Sequence, residues 1–134
     1  MSAESLESLH HAIKRGDTLH IAHYLESGGD ANRRGKFGTT LLMFAAQEGQ
    51  TPIIDLLLRA GADINGTSEH SYRAISLAAM AGHTRVVEHL LDRGALVPDD
   101  AAGMPLLGLL RHYGAKRQRI IDLLQARGST SNHP

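Results

Sequence analysis

Three stretches of the chain, Leu9–Asn32, Leu42–Asn65 and Ile75–Pro98, repeat at a constant offset of 33 residues, as Gly16, Gly49 and Gly82 show. Gly28, Gly61 and Gly94 recur at the same interval, as do Ala12, Ala45 and Ala78, and Leu25, Leu58 and Leu91. Asp30 and Asn32 return as Asp63 and Asn65. Several independent columns in one register mean a repeat architecture, in which each unit buries its apolar face against the next.

The unit spanning 38–65 shows what is being repeated. Leu41, Leu42, Phe44, Ala45 and Ala46 end at Gly49, enough for about two helical turns. Pro52 then opens a second apolar segment, where its missing N–H costs nothing at a helix start. Ile53, Ile54, Leu56, Leu57 and Leu58 run to Gly61, placed where a left-handed helix cap is wanted. The spacing predicts two short antiparallel helices per unit, joined to the next by a Gly-, Asn- and Asp-rich loop. Ala45–Ala46 and Ala78–Ala79 allow close helix approach. Isolated helices shorter than ~12–15 residues are marginal in water, so stacking must supply the stability.

Gly38-Thr39-Thr40-Leu41-Leu42-Met43-Phe44-Ala45-Ala46, Gly49, Leu57-Leu58 and Gly61-Ala62-Asp63-Ile64-Asn65 together resemble the ankyrin repeat. Unit three resembles it at Ser76-Leu77-Ala78-Ala79, Gly82-His83, Leu90-Leu91 and Gly94-Ala95, and unit one at Ala12, Gly16, Leu25, Gly28, Asp30 and Asn32. A degenerate fourth unit carries Met104-Pro105-Leu106-Leu107, then Ile120-Ile121-Asp122-Leu123-Leu124 and Gly128 as its cap. Its preceding loop is about two residues short, and about three extra residues separate its helices. The resemblance implies an all-α solenoid of about four repeats, near 4–34, 35–67, 68–100 and 101–128. They form one domain over 1–128, with 129–134 as a flexible tail. The histidine of the family's Thr-Pro-Leu-His turn is Met43, Ser76 and Leu107 in units two to four, which implies a weaker turn network and modest stability.

Such a stack needs polar ends. His11, His20 and His23 occupy columns held by Phe44, Ile53 and Leu56 in unit two, and read as an N-terminal cap facing water. Lys116, Arg117, Arg119 and Arg127 dress the last helix. His20 and His23 share one helix face, but with no cysteine in the chain the polar-cap reading is preferred to a metal site. His83 reads as the family's structural histidine.

Charge and hydropathy exclude further classes. Fourteen basic and fourteen acidic residues cancel, which leaves no field to draw nucleic acid or an anionic membrane. No apolar run approaches the ~18 residues of a membrane span, and Glu4 and Glu7 interrupt any leader-like start, so a cytoplasmic location is expected. No nucleophile, base and orienting group stand out together. Gly28-Gly29-Asp30 is a helix end rather than a phosphate cradle, because no helix start with Lys or Ser/Thr follows.

In ankyrins the finger loops and the exposed side of each first helix line a groove in which partners lie. The resemblance carries that role to Lys14, Arg15, Arg33, Arg34, Lys36, Phe37, Thr39, Gln47, Glu48, Glu69, His70, Tyr72, Met80, Ala81 and Tyr113, with Arg111 and His112 nearby. Arg33 to Phe37 forms a basic loop tipped by an aromatic, and Asp99-Asp100 makes the other end acidic. The expected function is non-catalytic binding of another protein by a chain monomeric until then, with no cofactor, metal, membrane or nucleic acid. Alternatives are an inhibitor or immunity-type protein that blocks an enzyme, and a nucleic-acid or anionic-ligand binder working through the 33–36 loop.

Overall fold

The computed structural model describes residues 4–97, 100, 101 and 104–131. Among them the chain forms helix pairs in a row: α1 (Leu6–Arg15) with α2 (Thr18–Glu26), α3 (Leu41–Glu48) with α4 (Thr51–Arg59), α5 (Ala74–Ala81) with α6 (Thr84–Asp92), and α7 (Leu106–His112) with α8 (Gln118–Ser131). First helices stack on first helices, α3 most closely on α5, and α2 and α6 lie against α4 and α8 respectively. The all-α repeat class holds. Its β content is a finger bridge between Arg34 and Thr40 and a two-residue antiparallel pairing of β1 (Asp100–Ala101) with β2 (Met104–Pro105).

Helix starts and stops follow local chemistry. The Ser5 hydroxyl accepts from the Ser8 N–H at the start of α1, and the Asp17 carboxylate accepts from the His20 N–H at the start of α2. Gly16, Gly49 and Gly82 end the first helices at φ 73°, 72° and 83°, each N–H returning to carbonyls of the last turn. At Gly49 the constraint is doubled, since a Cβ there would lie 2.9 Å from the His83 ring of the next unit. In α3 the Thr40 hydroxyl accepts from the Met43 N–H, and the Met43 sulfur accepts from the Thr40 N–H. The Ser76 hydroxyl does the same for the Arg73 N–H. The column that lost its histidine therefore keeps an acceptor, of weaker kind in Met43.

The core is one continuous aliphatic column. Leu9, Leu42 and Ile75 are buried in register, as are Ala12, Ala45 and Ala78, and Ile21, Ile54 and Val87. The fourth unit continues it through Leu106, Leu110, Ile120, Ile121 and Leu124. The extra residues before Ile120 form a 3₁₀ turn, Gly114–Arg117, and α8 starts directly after it. The end of α8 differs from expectation. The helix passes through Gly128 and is described as far as Ser131, so Gly128 is not its cap. A mid-helix glycine costs roughly 1 kcal/mol relative to alanine, which weakens a helix without stopping it. Residues 132–134 lie outside the described residues.

The N-terminal end is polar as its sequence suggests. His11 and His23 are exposed, and half-buried His20 pairs with Glu4. The Ser8 hydroxyl, with His20 behind it, holds the Glu4 carboxyl below its ordinary range. His10 behaves differently. It faces unit two, its ring stacked on Phe44 at 4.3 Å, and its Nε2 is buried with no hydrogen-bond partner among the described residues. Burial, then the charges of His11 and Arg33, push its pKa below the ordinary 6.5. The folded chain thus holds His10 neutral at a pH where the unfolded chain already takes up a proton. Stability from this site is full above 6.5 and is lost as pH falls through and below that value. In urea titrations at pH 7.5 and 5.5, wild type is expected to lose more stability than His10→Leu; equal losses would refute the assignment.

Candidate partner-binding face

Each unit is tied to the next by a side chain that reaches back to a carbonyl at the end of the preceding first helix. The Gln50 amide donates to Lys14 O at 3.4 Å, and His83 Nε2 donates to Gln47 O at 2.8 Å. In the fourth unit Arg117 Nη2 donates to Met80 O at 2.9 Å, with Nε at 3.3 Å. These carbonyls close the first helices, where four C=O groups lack intrahelical donors. The ties place Lys14, Gln47 and Met80 in one row along the exposed ends of α1, α3 and α5. Arg117 sits one residue out of register with His83, at an offset of 34 rather than 33 residues, the net effect of the shortened loop and the inserted turn. That slip conceals its role in the sequence.

On the opposite edge the loops are linked through Asn32 and Asn65. Asn32 accepts from Asp63 N–H at 2.7 Å and donates to Gly61 O, while Asn65 accepts from Leu96 N–H at 2.8 Å. The fingers are joined by the Glu69 N–H donating to Phe37 O at 2.8 Å. Arg34 donates to Gly38 O at 2.7 Å and to Thr67 O at 2.8 Å, and Arg33 donates to Glu4 O. Two of the three cations expected of this loop therefore bond the protein's own backbone. They hold the finger in place and leave Lys36 as the cation of that loop whose side chain makes neither a hydrogen bond nor an ion pair among the described residues.

Phe37 shares with Ser71 of the next finger (φ 66°) a backbone angle uncommon for a non-glycine residue. Phe37 has φ 58°, in the left-handed region that costs a non-glycine residue roughly 1–2 kcal/mol. Its side chain is 61% exposed, and its ring lies 5.6 Å from that of His70, the equivalent residue of the next finger. The ring thus does not fold back on its own turn.

The remaining expected residues divide by exposure. Lys14, Arg15, Gln47, Glu69, His70, Ala81 and Tyr113 are exposed, while Thr39, Glu48, Tyr72 and Met80 are half-buried. Arg15 pairs with Asp17 at 3.2 Å, an exposed contact worth little. Arg117 lies over the Tyr113 ring at 5.2 Å while bonding Met80 O, which brings Tyr113 to the Met80 end of the row. Asp99 falls outside the described residues, as does the side chain of Asp100, so the expected acidic end is not placed. Across the second helices, Asp55 accepts from His89 at 2.7 Å and from Arg93 at 2.9 Å, and Arg127 meets Asp92 at 3.0 Å. Those charges pair across units and dress the stack's outer side. Among the described residues no helix is long and apolar enough to cross a membrane.

Comparison with known proteins agrees with this geometry. A family model described as ankyrin repeats, in three copies, matches residues 9–100. The fourth helix pair lies beyond that match and is recognised from its own packing. No curated protein matches the chain.

Proposed function

The chain belongs to the ankyrin repeat family, whose repeats generally mediate protein–protein interaction, and from that premise we propose a non-catalytic module that binds a partner protein across its finger loops and first-helix ends. One observation carries the reading. Phe37 is exposed at a strained backbone angle in a loop that Arg33 and Arg34 brace from behind. Strain of this kind persists only where surrounding structure enforces it, and it clusters at binding sites.

Phe37 and Tyr72 act as anchors, with Met80 and Tyr113 extending the apolar contact. Lys14, Arg15 and Lys36 steer a partner, and Thr39, Gln47, Glu48, Glu69, His70 and Ala81 complete the surface. Binding to nucleic acid through the 33–36 loop is disfavoured, because Arg33 and Arg34 already satisfy backbone carbonyls and the chain has no net charge. In a pull-down, the double variant Phe37→Ala, Tyr72→Ala is expected to lose at least about tenfold of the wild type's partner capture, since central aromatic anchors contribute about 2 kcal/mol or more each. Unchanged capture by a variant with wild-type circular dichroism would sink this face as the site.

A further inference from the structure

The charged and apolar side chains of this face do not alternate at random along the stack. Because Gln50, His83 and Arg117 clamp successive first-helix ends, Lys14, Gln47 and Met80 fall at equal steps, one unit apart. Neighbouring helices pack about 8–10 Å apart, which sets the step. Lys36 and Glu69 are likewise equivalent positions on fingers joined by the Glu69 N–H to Phe37 O bond.

Three bands result. At the first step stand Lys14 and Lys36, both cationic. At the second stand Glu48 and Glu69, both anionic. At the third stand Met80 and Tyr113, drawn together by Arg117. None of the four charges has an ion-pair partner among the described residues. Elsewhere on the stack charges pair across units, as Asp55 does with His89 and Arg93, so the fold supplies such pairs where it uses them.

We infer that the partner presents a linear segment bearing an acidic, a basic and an apolar side chain, in that order from the first unit toward the fourth. The inference rests on the proposed binding face and adds the order to it. Each charge band matches a side chain of opposite sign, and a segment with the order reversed keeps its basic side chain on the anionic band but sets an apolar side chain against the cationic band and a bare carboxylate against the apolar one. A step of one unit equals about three residues of extended chain or about six of helix.

The test is selection from a display library of random segments about sixteen residues long, long enough for either conformation. The full chain serves as bait, beside the charge reversals Lys14→Glu with Lys36→Glu and Glu48→Lys with Glu69→Lys. Wild type is expected to enrich segments with the acidic, basic, apolar order. The first reversal should replace the acidic residue by a basic one, and the second should replace the basic residue by an acidic one. A synthetic peptide selected on wild type should bind either reversal at least about tenfold more weakly, because like-charge contacts oppose association at an interface. Segments that lose binding to Phe37→Ala, Tyr72→Ala yet show no order, or an order indifferent to both reversals, overturn this inference and leave the face standing. Segments that bind that double variant unchanged, or a selection without binders dependent on the face, overturn both.

Discussion

Leu57→Ala is expected to lower the unfolding free energy by roughly 2–5 kcal/mol, a large part of the roughly 5–15 kcal/mol that holds most domains together. Leu57 has no exposed surface and sits in α4, the second helix of a central unit. Its equivalents Tyr24 and Leu90 are buried on either side, so the leucine fills space between one unit and the next. A helix pair in a stack has only its neighbours to pack on, and a cavity there weakens the coupling that short helices depend on. Leu123→Ala, in the last helix and half-buried, should cost distinctly less. Urea denaturation followed by circular dichroism measures both, with the midpoint falling and the slope unchanged if unfolding stays cooperative. A loss at Leu57 no larger than that at Leu123 would contradict the stacked arrangement of the central units.

Ala78→Leu should destabilise by adding bulk. Ala78 is fully buried on α5, which packs against α3 on one side and α7 on the other. Its equivalents Ala12 and Ala45 are also fully buried, and this small-residue column lets first helices approach. Overfilling a closed interface typically costs about 1–3 kcal/mol and occasionally more. The upper part of that range is expected, because the added carbons spread two helices whose far ends are pinned by His83 and Arg117. The melting temperature should drop by several degrees, since each kcal/mol lost shifts it by about 2–8 °C in domains of this size range. A melting temperature equal to or above wild type would show unfilled space at this interface.

These effects differ in how far they could be foreseen. The buried leucine and alanine columns, the two glycine columns and the first turn of α4 around Pro52 were legible, because apolar spacing and left-handed φ are properties of short segments. The shortened loop and inserted turn of unit four were legible as a change of register. The clamping role of Arg117 was not, since it appears only after that slip is laid on the coordinates of unit three. The basic loop was misleading in part. Arg33 and Arg34 looked like a charged surface, yet each bonds a carbonyl of a residue about thirty positions away in sequence, Glu4 and Thr67 respectively. Within α8, Gly128 signalled a stop that the helix does not make.

The chain of amino acids alone determined the repeat, the helix pair within it, and which faces must be hidden, because those follow from the spacing of apolar side chains and from glycine's freedom at helix ends. Only the assembled stack decided where the long cationic side chains bond, that Phe37 is held outward against His70, and which charges on the binding face have no ion-pair partner among the described residues. The reason is reach. An arginine can satisfy any carbonyl within its length, and which carbonyl lies there depends on how the neighbouring unit is set down.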